Sequence, residues 1–472
     1  MNDDLSGYDG LALGEFVRKG ELDPVELLDH TIANIEKINP ILNAVIHTMY
    51  DEARGVAEFW RDEIAAGQAV DAAFCGVPFL LKDLLAEYAG APFNEGCRAL
   101  ANYVSRVDSE LVRRQRAAGL VVCGKTNTPE FGGSPVTEPE LHGATQNPWT
   151  IEHTPSESSG GSAAMVPPGV VPLAPAHNGG GSIRIPASCC GLFGLKPSRG
   201  RMPGSLPYDV WLDGVVEHAL TRSVRDSAAL LDASALGEHE SRLPRPASGF
   251  LAEVERPAGP LRVAVVREPL LEATFASDCH TALDRACKLC GELGYEVIEA
   301  APVIDRPRFA RAFARMLCAE VAAELRQAAV ILDRRVRRDE FEAITWALAL
   351  LGRVIPAVEL LQAQREIQAA ARAFTTWTAD FDIVMTPTLA QPPPLIGALL
   401  PRGADALVLE VLGRLHAGRV LRALGMVEQL AADAFAFIPT TPLFNMNGQP
   451  AMSVPLHRNA DGLPIGMHFS AA

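Results

Sequence analysis

Two clusters of serine and glycine, Ser158–Ser162 and Gly179–Ser182, set the strongest constraint on how this chain can fold. An apolar segment that contains several prolines separates them. Consecutive glycines let backbone N–H groups approach a ligand more closely than any bulkier residue permits. A serine beside such a loop combines a nucleophilic oxygen with donors for an oxyanion. The pattern therefore indicates acyl transfer rather than simple binding.

The composition is that of a globular protein with an acidic surface. The chain has 472 residues, enough to bury a large core, and 48% of them are hydrophobic, close to the average of globular domains. The formal net charge is −15, whereas a general nucleic-acid binder needs a basic surface. We therefore expect neither extensive disorder nor nucleic-acid binding.

Several features predict a cytoplasmic protein without a membrane segment or a metal. The N-terminal residues are acidic and lack the apolar core of a signal peptide, and no uncharged apolar run is long enough to span a bilayer. The nine cysteines are scattered and odd in number, which is typical of reduced thiols. Cys287 and Cys290 form a lone CxxC motif in a segment of helical periodicity, so we expect no metal there.

Short apolar runs alternate with segments of helical pattern. The runs predicted to form strands are 74–81, 120–124, 261–266, 295–298, 381–385, 452–456 and 465–469. Between about 305 and 375 the sequence is rich in alanine, leucine and arginine, which predicts helices. This alternation indicates an α/β fold. We expect residues 1–472 to form one domain with a helix-rich subregion at about 305–375.

Ser182 is the candidate nucleophile because it directly follows three glycines. The backbone N–H groups of Gly179, Gly180, Gly181 and Ser182 would then form an oxyanion hole. A glycine-rich turn with an ordinary serine is the alternative at this level. A phosphate-binding loop is a weaker rival, because the GxGxxG and Walker A spacings are both absent.

A nucleophilic serine needs a base, and two residues are candidates. His177 lies only five residues before Ser182, and a residue so near in sequence is rarely positioned as a base. Lys82 directly follows an apolar run, where desolvation can lower the pKa of an amine so that it accepts a proton. Ser–Lys hydrolases use this device, although a lone lysine after a strand is more often a surface residue.

Blocks of sequence along nearly the whole chain resemble the amidase signature family. They lie at 76–83, 124–132, 143–149, 158–162, 180–188, 194–197, 444–445, 448–451 and 462–466. One block alone would be weak evidence, but the combination is specific. The resemblance implies an α/β fold in which helices cover both faces of a mixed central β-sheet, and it implies no cofactor.

Carried over residue by residue, the Ser–cisSer–Lys triad of the family falls on Ser182, Ser158 and Lys82. The resemblance implies that neutral Lys82 takes a proton from Ser158, which takes the proton of Ser182. The Ser182 alkoxide then attacks an amide carbonyl, the glycine N–H groups hold the oxyanion, and water hydrolyses the resulting acyl-enzyme.

Two departures from the family pattern lie in the loops that should perform this chemistry. Ser156 and Glu157 stand where the family usually has two glycines, and the charge of Glu157 is expected to raise the pKa of Lys82. Asn178 stands where the family usually has Asp. It cannot pair by charge with Arg184, so we expect a less rigid loop.

The resemblance carries two further structural expectations. The inner serine of the family follows a cis peptide bond, which here would join Glu157 and Ser158. Relatives usually continue with a helix after the last strand, whereas this sequence stops at Ala472, which would leave some surface near the C-terminus uncovered.

Within the family, the chain looks most like the aminohexanoate cyclic-dimer hydrolase subgroup, which opens linear or cyclic amides of amino acids. The matching features are 137–140 leading to 143–145, 198–201, and Cys318. Cys318 is the candidate substrate-binding residue of a predicted helix at 309–325, and a small core residue is the alternative.

The leading functional hypothesis is a hydrolase of a linear or cyclic carboxamide. A glutaminase-type subunit that works with a partner chain, and a weakened or inactive relative that binds amides, are the alternatives. The expected partner is a small-molecule amide, and we expect binding to neither nucleic acid nor membrane. A homodimer is a further possibility that the sequence does not decide.

Overall fold

The computed structural model describes residues 5–68, 71–205, 210–237, 240–241 and 243–471. Its strands are β1 (Val45–Thr48), β2 (Pro78–Lys82), β3 (Val121–Thr126), β4 (Leu173–Asn178), β5 (Phe193–Lys196), β6 (Val216–Thr221), β7 (Arg262–Val265), β8 (Glu296–Glu299), β9 (Ile383–Pro387), β10 (Ala451–Arg458) and β11 (Pro464–Ala471). Its α-helices are α1 (Gly10–Arg18), α2 (Pro24–Leu42), α3 (Tyr50–Ala65), α4 (Glu110–Ala117), α5 (Gly160–Met165), α6 (Arg184–Cys190), α7 (Val224–Ser234), α8 (Phe250–Val254), α9 (Ser277–Glu292), α10 (Arg306–Ile331), α11 (Ala343–Val354), α12 (Ala357–Thr378), α13 (Gly403–Arg414), α14 (Gly418–Ala423), α15 (Met426–Phe437) and α16 (Thr441–Asn447).

The strands form two mixed sheets. The smaller has the order β1-β3-β2, with β2 parallel and β1 antiparallel to β3. The larger has the order β4-β6-β5-β10-β11-β9-β7-β8, in which β9, β7 and β8 are parallel and the other neighbours antiparallel. The predicted α/β fold with mixed pairing is confirmed, and each predicted strand overlaps an observed one. Four strands, β1, β4, β5 and β6, were not predicted.

Helices cover both faces of the larger sheet, as predicted. In β11, Ile465 and Met467 pack into an apolar cluster with α9. The alternate residues face the other way. There the N–H of Gly466 donates to Ser188 of α6 at 2.8 Å, and His468 contacts Arg184 of the same helix. The sheet is therefore buried on both sides near its centre.

Three helices, α10, α11 and α12, occupy most of 306–378 and pack into the apolar core beside the larger sheet. Their alanine-rich sequence favours long helices with close crossings. Within the described residues no single helix is both long and apolar enough to cross a membrane, although α11 and α12, which meet at a 104° bend, pass that test when taken together.

The crossing of α10 and α11 depends on Gly352. A Cβ atom at this position would lie only 2.0 Å from the backbone oxygen of Cys318 and 3.0 Å from the nitrogen of Ala319. No side-chain rotation can relieve a contact with backbone atoms. The absence of a side chain at Gly352 is therefore what allows the two helices to approach so closely.

We expect Gly352→Ala to lower the free energy of unfolding by about 1–3 kcal/mol, because the helices must separate to admit the methyl group. Urea denaturation measures this change. Gly291→Ala in α9 is the matched control, since a Cβ there meets nothing within 4 Å and alanine favours a helix. Equal effects of the two substitutions would contradict the packing argument.

Candidate active site

Lys82 ends β2 inside the protein, with no exposed surface. Its Nζ donates to the Oγ of Ser158 at 2.7 Å and to the Oγ of Ser159 at 3.0 Å, with the carbonyl oxygen of His177 at 3.4 Å. Burial lowers the pKa of Lys82 to about 7, although the negative charges of Glu157 and Glu217 act in the opposite direction. A buried amine with a pKa lowered this far can lose its proton near neutral pH and act as a base.

Ser158 and Ser159 occupy the turn that leads into α5, and their positions depend on the glycines that follow. A Cβ at Gly161 would lie 2.5 Å from the backbone oxygen and 2.6 Å from the backbone nitrogen of Asn127. Helix α5 can therefore approach the end of β3 only with glycine there. This close approach holds the two serine hydroxyls over Lys82.

Ser182 lies on the short connection between β4 and α6. Within the described residues, the backbone N–H groups of Gly179, Gly180 and Gly181 donate no hydrogen bond to protein. Gly181 has φ 153°, and a Cβ there would lie 2.3 Å from the Oγ1 of Thr441. The loop thus carries a row of free donors beside the Ser182 hydroxyl.

The Ser182 hydroxyl donates to the Oε2 of Glu157 at 2.6 Å. The same carboxylate oxygen accepts from the backbone N–H of Ser158 at 3.2 Å. In the part of the chain that the structure describes, the Ser182 and Ser158 hydroxyls share no hydrogen bond. Burial raises the pKa of Glu157, and the hydrogen bond from Ser182 partly offsets that rise. The three predicted triad residues are brought together, with Glu157 between the two serines.

The backbone before Ser158 differs from the family expectation. The expectation of a cis peptide bond between Glu157 and Ser158 was wrong, because no cis peptide occurs among the described residues. The chain turns instead through left-handed backbone at Ser156 (φ 67°) and Glu157 (φ 52°), a region that non-glycine residues occupy at a cost of about 1 kcal/mol or more each. The N–H of Glu157 donates to the oxygen of Pro135 at 2.8 Å, and the Thr137 hydroxyl donates to the oxygen of Glu157.

Arg184 is anchored by residues far away in the sequence instead of by an acid at position 178. Its guanidinium contacts the Nε2 of His468 at 2.9 Å, the oxygen of Thr441 at 3.0 Å and the Oδ1 of Asn445 at 2.5 Å. The Oδ1 of Asn178 accepts from the N–H of Ile183 at 3.1 Å. Sequence reasoning missed these anchors, which hold the loop although position 178 carries no carboxylate.

His177 belongs to β4 and does not contact Ser182. Its Nε2 lies 3.2 Å from the Oε2 of Glu217, and both side chains are buried. Burial and the nearby Lys82 lower the pKa of His177 well below its usual range. His177 therefore faces Glu217 and not Ser182, so it is not positioned as the base for this serine.

A cavity of about 120 Å³ opens onto Ser158, Ser182, Gly179 and Gly180. Its walls are largely apolar and include Phe131, Trp211, Phe313, Leu317, Val321 and Phe435. Cys318 is 1% exposed and lines the same cavity from α10. Glu95 and Glu324 add carboxyl groups to the wall, and burial raises the pKa of both.

Known proteins share both the sequence and the fold of this chain. The sequence profile described as Amidase matches residues 26–472. The 6-aminohexanoate-cyclic-dimer hydrolase of Paenarthrobacter ureafaciens is 34% identical over 98% of this chain and 91% of that protein. A structure of 6-aminohexanoate cyclic dimer hydrolase has a TM-score of 0.85 at 32% identity and covers 99% of this chain and 94% of its own. A bacterial aryl acylamidase structure of the amidase signature family has a TM-score of 0.84 at 25% identity and covers 98% and 92%. Agreement over nearly the whole length shows that this chain belongs to the amidase family and is a hydrolase of amide bonds.

Proposed function

We propose that the protein hydrolyses linear or cyclic carboxamides through an acyl-enzyme on Ser182, with Lys82 and Ser158 as the proton relay. The single observation that carries the proposal is the buried contact of Lys82 with Ser158 at 2.7 Å beside the Ser182 loop. A lysine whose pKa lies near 7 is neutral often enough to accept a proton at physiological pH.

The Ser182 loop supplies the second requirement, which is stabilisation of negative charge. The free N–H groups of Gly179, Gly180 and Gly181 are preorganised donors beside the nucleophile. Such donors stabilise the oxyanion without reorganisation, and the loss of one typically costs about 10²–10³-fold in rate. They support Ser182 as the attacking group.

The cavity supports a substrate with an apolar acyl part of modest size. Its volume of about 120 Å³ is on the scale of a cavity that holds one benzene ring. Apolar side chains on α10 and α15 form much of its wall. This fits a short alkyl or aryl carboxamide. The name of the related 6-aminohexanoate-cyclic-dimer hydrolase adds cyclic amides as a candidate class. Cys318 would contact the acyl part.

The substitutions Ser158→Ala and Ser159→Ala test separately the roles of the two hydroxyls that Lys82 contacts. At pH 8 to 9 we expect Ser158→Ala to lower the rate by about 10²–10⁴-fold, because it removes the relay between Lys82 and the nucleophile. Ser159→Ala is the matched control and should cost less than about tenfold, since it removes one neutral hydrogen bond. The readout is the rate at which a fluorophosphonate labels Ser182. A larger loss in Ser159→Ala than in Ser158→Ala would show that Ser158 is not the serine of the relay.

A panel of aryl, aliphatic and cyclic amides tests the function itself. The purified chain alone should release amine from at least one member, whereas a glutaminase-type subunit would need a second chain. Stoichiometric labelling of Ser182 without turnover of any amide would favour the amide-binding relative. The homodimer stays a prediction, which sedimentation analysis checks.

A further inference from the structure

We propose that Glu157 is a second general base for Ser182, which accepts the serine proton directly and keeps the nucleophile active where Lys82 is protonated. The proposal rests on the proposed role of Ser182 as the nucleophile. It adds a catalytic residue to the three that the family resemblance assigns.

The Ser182 hydroxyl is in direct contact with the Glu157 carboxylate. The Ser182 Oγ lies 2.6 Å from the Oε2 of Glu157, and the Glu157 residue is 5% exposed. A carboxylate at this distance from a hydroxyl is within proton-transfer reach. The hydroxyl can donate only one hydrogen bond at a time, and here it donates to Glu157 and not to Ser158.

The backbone fixes the carboxylate in this place. The N–H of Glu157 donates to Pro135 at 2.8 Å, and its carbonyl oxygen accepts from Thr137. Left-handed backbone at Ser156 and Glu157 aims the side chain towards the Ser182 loop. A strained conformation held from both sides of the peptide is typical of a functional position.

Burial raises the pKa of Glu157, and the positive charges around it limit that rise. The titratable and charged groups that face it are Lys82 on β2 and Arg184 and Cys189 on α6, and those that surround Lys82 in turn are His177 on β4, Glu217 on β6 and Glu95. The positive charges of Lys82 and Arg184 both lower the pKa of Glu157 against the effect of burial. Glu157 is also the one carboxylate whose charge acts on Arg184 among the described residues.

The Glu157 route needs no reactant other than the amide and water. In the attack, the Ser182 O–H bond breaks, its proton moves to Glu157 Oε2, and Oγ bonds to the carbonyl carbon while the carbonyl π electrons move to oxygen. When the oxyanion collapses, the C–N bond breaks and Glu157 gives the proton to the leaving nitrogen. Water then gives a proton to Glu157 as its oxygen bonds to the acyl carbon. The acyl–Oγ bond finally breaks and the proton returns to Ser182.

The two bases differ in their dependence on pH. The relay needs a neutral Lys82, whose pKa is lowered to about 7 by burial, so it fades as the pH falls below about 7. The Glu157 route needs a carboxylate. Protonation of Lys82 adds a positive charge that favours this carboxylate. The Glu157 route therefore extends activation of Ser182 below pH 7 over the range in which the carboxylate, whose pKa burial raises, stays ionised.

Fluorophosphonate labelling of Ser182 between pH 5.5 and 9 tests the proposal. The fluoride that leaves needs no proton, so the labelling rate reports only activation of the serine. Glu157→Gln should slow labelling at least about tenfold at pH 6 and less than about threefold at pH 9. Glu157→Gly, which also relieves the left-handed backbone, should show the same acid-side loss. Glu217→Gln is the matched control, because it removes another carboxyl near Lys82 that does not touch Ser182, and it should keep the acid-side rate.

Two results would overturn the proposal. Unchanged labelling of both Glu157 variants at pH 6 would show that the carboxylate accepts no proton. Faster labelling of Glu157→Gly at all pH values would show that the carboxylate restrains Ser182 instead. In both cases loss of labelling in Ser182→Ala would leave the proposed function intact, whereas undiminished labelling in Ser182→Ala would remove the proposed function as well.

Discussion

Ser182→Ala is expected to abolish amide hydrolysis, with a fall in kcat/KM of at least about 10⁴-fold. The substitution removes the oxygen that bonds to the acyl carbon, and neither Glu157 nor Lys82 can replace it as a nucleophile in that position. Hydrolysis of the best amide in the panel measures the loss, and the variant should also lose fluorophosphonate labelling.

Ser134→Ala is the control for this experiment. Ser134 also lines the cavity, but its hydroxyl contacts the N–H of Val136 and not the relay. Turnover by this variant should stay within about threefold of the unmodified enzyme. Full activity in Ser182→Ala would show that the proposed mechanism is wrong, provided that its circular dichroism and unfolding curve match those of the unmodified chain.

Lys82→Met is expected to lower kcat by about 10²–10⁴-fold at pH 8, where the neutral lysine is the main base. Methionine keeps the length of the side chain but can neither accept a proton nor donate to Ser158 and Ser159. The remaining activity should depend on Glu157. Retention of the full rate at pH 8 would contradict the relay.

The same substitution is expected to stabilise the fold near neutral pH. Unfolded lysine titrates near its usual pKa of 10.5, whereas burial lowers the pKa of folded Lys82 to about 7. Between these values the unfolded chain binds the extra proton, so the stability of the unmodified protein rises with pH. The cost is fully present below pH 7, where it reaches about 5 kcal/mol, and it disappears above pH 10.5. Lost hydrogen bonds to the two serines offset about 1 kcal/mol each.

Urea unfolding at pH 7 and pH 9 checks the sign of this effect. Lys82→Met should gain stability at pH 7, and the gain should shrink at pH 9. Lys125→Met is the matched control, because Lys125 is equally buried but pairs with Asp83. Its loss leaves an unpaired buried carboxylate, which typically costs about 3–5 kcal/mol. A loss of stability in both variants would contradict the proposed cost of Lys82.

Strands with an uninterrupted apolar run were predicted from the sequence. Strands whose apolar run is interrupted by proline or polar residues were not predicted. The run at 74–81 leads into β2 and Lys82 because its residues are apolar in succession. Strand β4 contains Pro175 and follows a segment rich in proline, which reads as a loop. Strand β6 includes Glu217 and His218, which are buried but polar in sequence. Tertiary burial decided these cases, and local pattern could not.

The sequence indicated where the candidate site lies, but not how its residues contact one another. The family resemblance placed Lys82, Ser158 and Ser182 in one triad, and the structure brings them together. The charge of Glu157 does oppose the fall of the Lys82 pKa, as predicted, but burial outweighs it. Nothing in the local sequence indicated that the Glu157 carboxylate would accept the hydrogen bond of Ser182, because that contact depends on how two separate loops meet. Cys318 as a substrate contact stays a prediction.

The contact between Arg184 and His468 has a consequence for the order of folding. The two residues are 284 positions apart, and contacts across such distances form late because a long loop must close first. Strand β11 sits between β10 and β9, so it joins both neighbours when the larger sheet is completed. Until then Arg184 lacks one of its anchors beside the nucleophile loop. We therefore expect Ser182 to become reactive towards a fluorophosphonate only late in refolding, after the larger sheet has closed.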